Sequence, residues 1–477
     1  ALGSMSATGV ARSHEESMSD SQSIRPFLAS LEQRGELVRI PKPVDRTFEL
    51  SAFLSAADAG PALIFESVTG SPLRVAGNLL NSRARIASAL GIEPADIVPR
   101  IHQSIRAPVK PRQVATGAVQ EIVETDAPLA QLPVPRFFPR EERPLITAGV
   151  ILARDPHTGK GNASFARFAI HDGKTAMVGI APNHHLALFS RRAAEEGRAL
   201  EIAVVIGAHP AIQLAACLYL GVGDDELECA GSLLGAPVDV VPAKTVDLMV
   251  PADAEIVLEG TIDARQTIEE GFVSEYHGMY EGYGPGYRAT FSAMTRRKDA
   301  LYQAIEPGYH REHIYLGALP IAASLRSAIA AVVPNVRDVA VTEAGAGRTD
   351  VVVQLDAPRP GQARRAMFAA FAAVSLVKRV TVVDSDIDPW DATAVDWARM
   401  HRMRLERDLL LIPHAGTDRS EAMESGGLVT KAGYDATAKT GDRVEGIDRA
   451  LPPAELSAAA KQWFEENVPP ERRRWLK

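Results

Sequence analysis

Apolar residues recur at helical spacing at Phe27 and Leu31, and after a turn at Gly35 the alternation in ELVRI predicts a strand. ALIFESV and LRVAGNLL read as further strands, and SRARIASALG as a helix closed by Gly91. These elements predict an N-terminal α/β domain over 24–118, ending in the proline-punctuated APVKPRQVATG. From 119 to 310 the pattern shifts to strand-like runs between Gly and Pro turns: AGVILARD, ASFARFAIHD, KTAMVGI, DVVPAKTVDLMVP, AEIVLEGTID and RATFSAMTRRKDALYQAI, the last with RRKD as a hairpin turn. With HHLALFSRRAAEEGR as its clearest helix, this stretch predicts a β-barrel-like middle domain whose mouth offers a ligand site. Over 311–450 strand and helix alternate again, in VRDVAVTEAGAGRTDVVVQL, PGQARRAMFAAFAAVSL and RVTVVDSDID, which predicts a second α/β domain. The run LGALPIAASL suits either a roomy pocket wall or a packed connector. A helical tail over 451–477 carries Leu456, Trp463 and Phe464 between prolines and is expected to dock on its own chain or on a partner subunit. The fold class is thus α+β and multidomain.

At 477 residues the chain exceeds what one hydrophobic core supports, which agrees with several domains and a cleft between them. A net charge of -8 argues against a nucleic-acid or anionic-membrane surface, so an anionic substrate needs a local cation. Cys217 and Cys229 lack a second pair for a zinc site and read as free thiols of a cytoplasmic protein. The most apolar stretch, 201–223, is interrupted by Glu201, His209, Pro210 and Gln213 and reads as a strand and helix, not a membrane span. Residues 1–23 read as an expression scar, ALGSM, followed by a disordered Ser- and Glu-rich segment without a secretory signal.

GYGPGY and GAGR do not stand between a strand and a helix as a phosphate-binding loop requires, and there is no G-x-x-x-x-G-K-[ST]. In GNASFARFAI, Asn162 and Arg167 are five apart and would face opposite sides of a regular strand, unless a bend brings both to one cavity. His184 and His185 precede a helix, and adjacent histidines point apart. GDDELECAG supplies Glu226 and Glu228. Taken alone each is a plain structural feature, yet an Asn oxygen, a His nitrogen and a carboxylate together suit Mn2+ or Mg2+. IEEGFVSEYHGMY places Glu270 and Glu275 five apart; with a guanidinium between them, one glutamate can hold the Arg while the other trades a proton.

Together NASFAR, HH, the glutamate ahead of Gly231, EGFVSEYHGMY and the phrase VPADAEIVLEG resemble the UbiD family of decarboxylases over Ile24 to Lys439. The resemblance implies an N-terminal α/β domain, a central split β-barrel of the flavin-reductase kind, and a mobile, dimerising C-terminal α/β domain. It implies prenylated FMN, with Mn2+ (or Mg2+) held by Asn162, His185 and Glu226, K+ nearby, and a separate flavin prenyltransferase as cofactor supplier. Cofactor contacts would come from Asn162, Ser164, Phe165, Ala166, Arg167, His184, His185, Glu226 and Lys378, with Arg379 the alternative to the lysine. The catalytic trio would be Arg167, Glu270 and Glu275, with Glu275 as proton donor and Glu269 a bystander. The implied reaction is reversible, non-oxidative decarboxylation of an α,β-unsaturated, aromatic or heteroaromatic acid through a covalent adduct with the cofactor, by a homodimer or larger homo-oligomer. Phe272 and Ser274 depart from the family's Pro and Gly. The rival readings are a conventional FMN oxidoreductase on a split barrel and a non-catalytic cofactor-binding relative.

Overall fold

The computed structural model describes residues 22–438, 450–469 and 472–473, so the expectations for 1–21 lie outside it. Helix Arg25–Gln33 buries Phe27, Leu28 and Leu31, and Gly35 turns the chain with φ +69 into strand Leu37–Val44. Helix Arg83–Leu90 starts at Ser82, whose side chain accepts from the Arg85 N–H, and ends at Gly91 in the left-handed conformation. Leu37–Val44, Ala62–Val68 and Arg74–Gly77 form a sheet whose fourth strand is Leu301–Ala304, returning from far along the chain.

That return corrects the expected RRKD hairpin. Strand Pro285–Arg296 already pairs with Ile256–Glu269 on one side, and with Thr175–Gly179 and Ile122–Glu124 on the other. Its successor is buried at all four positions and pairs in parallel with Arg74–Gly77, at the edge of another sheet. RRKD is therefore a crossing between sheets.

The central sheet runs Leu145–Ile146, Arg167–Ile170, Thr175–Gly179, Pro285–Arg296, Ile256–Glu269, Leu200–Ile206, Val150–Arg154, Gly161–Phe165. It curls into a half-barrel around Phe168, Met177, Val204, Ile206, Leu258 and Phe291, with the Phe168 and Phe291 rings edge to face at 5.5 Å. Gly161–Phe165 and Arg167–Ile170 lie toward opposite ends of this order, yet only Ala166 separates them in sequence. The split in the barrel is thus crossed by covalent chain instead of by strand hydrogen bonds.

The last sheet runs Val336–Val341, Asp350–Leu355, Arg379–Asp384, Leu428–Asp435, Leu409–Gly416, with helix Gln362–Ala373 packed on it. LGALPIAASL is the middle of a 20-residue helix, Arg311–Ala330, which touches helix Ile97–Arg106 on one side and the last sheet on the other. Apolar side chains from all three segments, among them Phe27, Val150, Leu319 and Val351, join in one continuous core. Helix Ala454–Asn467 buries none of its residues, and Leu456 and Trp463 stand exposed. No helix among the described residues is long and apolar enough to cross a membrane.

Candidate active site

Strand alternation separates Glu269 from Glu270 at the end of Ile256–Glu269: the first is exposed and the second 3% exposed. Gly271, at φ +78, then turns the chain into a small hairpin in which Val273–Ser274 pairs with Tyr280–Glu281. Its tip is closed by the Gly278 N–H donating to the Glu275 carbonyl at 2.8 Å. Arg167 enters from the opposite side as the first residue of Arg167–Ile170, paired with Gly179. Its guanidinium donates from Nε to Glu270 Oε1 at 2.6 Å and from Nη2 to Glu270 Oε2 at 2.8 Å. A single longer bond of 3.4 Å runs from Nη1 to Glu275 Oε1. Burial works against the Arg167 charge, but the pull of Glu270 and then Glu275 outweighs it, and its pKa stands above the usual value. Gly179 makes room: a Cβ there would stand 2.9 Å from Glu270 Oε1 and 3.1 Å from Arg167 Nη2.

On the other side of the split, the Ala163 N–H donates to Glu226 Oε2 at 2.7 Å, and Asn162 Nδ2 faces both Glu226 oxygens at 3.1 and 3.2 Å. Glu226 is the first residue of helix Glu226–Leu234, whose N-cap Asp225 accepts from the Leu227 N–H. Gly161 lets this helix end sit on the strand, because a Cβ would collide with the Asp225 carboxylate. Burial pushes the Glu226 carboxyl up to about 8, and Asn162 Oδ1 and Ser164 Oγ are buried with no hydrogen-bond partner among the described residues. A buried carboxyl and an amide oxygen without a donor fit a hard cation, which would return the carboxyl to its charged form. Among the described residues no three His, Cys, Asp or Glu side chains gather for a metal. His185 opens helix His185–Glu195, with its ring near-parallel to Phe189.

Both clusters line one cavity of about 460 Å3, within the range of small-molecule sites. Asn162, Ser164, Phe165, Ala166, Arg167, His184, His185, Glu226 and Glu275 are on its wall, while Glu270 stands behind Arg167 and Glu228 is not on the wall. The bend at Ala166 does what a regular strand would forbid, placing Asn162 and Arg167 on one cavity. Lys378 and Arg379 are not on that wall: Lys378 Nζ pairs with Glu421 at 2.9 Å, and Arg379 makes a bidentate pair with Asp350. Sequence reading missed the facing wall, formed by Tyr276, His313, Leu316, Gly317, Arg348 and Arg419. LGALPIAASL, open in sequence between a pocket wall and a connector, contributes Leu316, Gly317 and Ile321 to the wall, while GAGR, weighed only against a phosphate loop, contributes Arg348.

Comparison with known proteins decides the family. The N-terminal, Rift-related and C-terminal domains of 3-octaprenyl-4-hydroxybenzoate carboxy-lyase match residues 28–105, 111–310 and 314–436. The chain belongs to the UbiD family of carboxy-lyases. Anhydromevalonate phosphate decarboxylase of Methanosarcina mazei is 32% identical over 90% of this chain and 99% of its own. The UbiD-class enzyme HmfF from Pelotomaculum thermopropionicum, solved with FMN, superposes with a TM-score of 0.88 at 35% identity, covering 91% of this chain and 98% of its own. An evolved dimeric form of HmfF, solved with prFMN, gives 0.84 at 34% identity, over 91% of this chain and 98% of its own. The curled half-barrel with its flanking α/β units is the UbiD-class fold.

Phe272 and Ser274 stand where the resemblance drawn from the sequence led to an expectation of Pro and Gly. Phe272 lies outward under the Arg140 guanidinium, 3.9 Å from its ring centroid. Ser274 Oγ donates to buried Glu141 Oε1 at 2.8 Å, and Glu141 also accepts from the Phe137 and Phe138 N–H groups. The hairpin is thereby tied to the 137–141 loop by contacts that a Pro-Gly pair would lack.

Proposed function

We propose that this UbiD-family chain catalyses reversible non-oxidative decarboxylation of an α,β-unsaturated acid, aromatic or heteroaromatic in character, with prenylated FMN as cofactor. The observation that carries the proposal is the Glu270–Arg167–Glu275 trio, with Arg167 and Glu275 on the wall of the 460 Å3 cavity and Glu270 behind Arg167. When bound, prenylated FMN would supply an electron sink for the carbon that loses CO2. Asn162, His185 and Glu226 would hold a Mn2+ or Mg2+ ion, with K+ nearby, and Ser164, Phe165, Ala166 and His184 would contact the flavin.

The protein's part is orientation and proton delivery. Two bonds to Glu270 fix the Arg167 plane, so its remaining N–H groups meet a substrate carboxylate in a set direction. Glu275, held by one 3.4 Å contact, keeps an oxygen available to carry the proton that replaces CO2. In the reverse direction it would accept that proton at high CO2. The rings of Phe165, Tyr276 and Tyr283 and the side chains of Leu316 and Leu376 support a flat apolar substrate. Structural relatives include 3,4-dihydroxybenzoic acid and vanillic acid decarboxylases, while anhydromevalonate phosphate decarboxylase shows that the family reaches beyond aromatic acids. The cofactor would come from a separate flavin prenyltransferase in the cytoplasm, and the exposed Leu456 and Trp463 favour a homodimer.

Glu275→Gln tests the proton role. The variant should bind cofactor as the native protein does, yet lose about 10²- to 10⁴-fold in turnover and in deuterium incorporation from D2O into product. Turnover and labelling equal to the native protein would remove Glu275 from the mechanism.

A further inference from the structure

We infer that Arg348 reads a second hydrogen-bond acceptor on the acid substrate, making this a site for flat acids that carry such an acceptor besides the departing carboxylate. The inference rests on the decarboxylase reading and names its substrate class.

Arg348 lies in the turn between Val336–Val341 and Asp350–Leu355. Gly347, at φ +70, packs so tightly on helix Arg311–Ala330 that a Cβ would collide with the Ile314 carbonyl. This contact delivers Arg348 to the cavity wall beside His313, Gly317 and Tyr276. The guanidinium lies flat. A Cβ on Gly317 would stand 3.1 Å from each of its Cζ, Nη1 and Nη2 atoms, so the glycine backs one face. Cζ stands over the Tyr276 ring, 4.9 Å from its centroid.

Two donors are committed: Nη1 to the Ala346 carbonyl at 3.1 Å, and Nη2 to His313 Nε2 at 3.2 Å. His313 Nδ1 is 3.0 Å from the Gly308 carbonyl, which can only accept, so Nδ1 carries the ring proton and Nε2 is the acceptor. His313 is therefore a neutral positioning residue. Of the five guanidinium N–H bonds, three remain on a side chain that lines the cavity. Among the described residues no carboxylate pairs with Arg348, whereas Arg167 has two. Donors in one plane, with covered faces, meet an acceptor edge-on, as a ring heteroatom or a second carboxylate of a flat acid presents it.

The test uses cofactor-loaded protein and three matched acids: 2-naphthoate, quinoline-6-carboxylate and naphthalene-2,6-dicarboxylate. Affinity is measured by calorimetry and kcat/KM by CO2 release, for the native chain, Arg348→Met and Gly317→Ala. The native chain should favour an acceptor-bearing acid over 2-naphthoate by about 10- to 100-fold. Preference for the quinoline identifies a neutral acceptor, and preference for the diacid an anionic one. Arg348→Met should bring the ratio to within about twofold, mainly through KM, and Gly317→Ala should do the same while keeping the charge. Absence of preference in the native chain, or an unchanged ratio in Arg348→Met, overturns the inference. Preferential binding without CO2 release from any of the acids would instead overturn the decarboxylase reading alone.

Discussion

Glu270 and Glu275 touch the same guanidinium, but one is a structural anchor and the other a loosely held acid. Removing the Glu270 charge leaves Arg167 with its main partner gone in a site where both side chains are largely buried. Glu270→Ala should therefore cost roughly 3–5 kcal/mol in urea unfolding, against about 1 kcal/mol or less for Glu275→Gln. Gly179→Ala should leave the fold intact and lower activity, because the new methyl presses on both Glu270 and Arg167. A melting temperature close to the native value with reduced kcat would bear this out. The trio was legible in sequence because its members sit in short motifs of fixed spacing. Arg348 was not, since its meaning comes from Gly317, His313 and Tyr276, which only the folded chain brings beside it.

Helix Arg311–Ala330 carries the element-scale logic. Near its start, Glu312 Oε1 accepts from the Leu79 and Leu80 N–H groups at 2.9 and 3.1 Å. Just before it, Glu306 accepts from Ser51 and Ser55 at 2.6 and 2.7 Å. Burial pushes both carboxyls up to about 7 from an ordinary 4.5. Each therefore holds a proton in the folded chain that the unfolded chain has released between those values. Their stabilising contribution is complete below about pH 4.5 and is lost as pH rises through about 7, by at most about 1.4 kcal/mol per pH unit for each group. Denaturant melts from pH 5 to 8 should show this decline, and Glu312→Gln should make it shallower. A slope unchanged in the variant would show that Glu312 is ionised throughout. The helix itself escaped sequence reading because Gly317, Pro320 and a run of small residues blur the helical period, and because it is buried nearly all round. The strands fared better: ELVRI buries Leu37 and Ile40, and AEIVLEGTID is an apolar run buried on both faces from Ile256 to Gly260. RRKD failed because a short polar link between two strands looks alike whether they pair or part to different sheets.

At the scale of the whole molecule, the cavity is built from distant stretches: the half-barrel gives Arg167 and Asn162, the small hairpin that follows its long strand gives Glu275, helix Glu226–Leu234 gives Glu226, and helix Arg311–Ala330 gives His313 and Gly317. Val374 to Leu376 and Asp418 to Ser420 of the last segment complete the wall. The multidomain α+β class was readable from shifts in pattern, and the family from ordered motifs, while the wall around Arg348 waited on long-range contacts. The central claim is that this cavity works through prenylated FMN. Its most direct test is CO2 release from a panel of aromatic and unsaturated acids by protein purified after coexpression with a flavin prenyltransferase, beside protein reconstituted with plain FMN. The account predicts that the bound cofactor has the mass and absorbance of prenylated FMN and that only this form releases CO2. Equal release with plain FMN would contradict it.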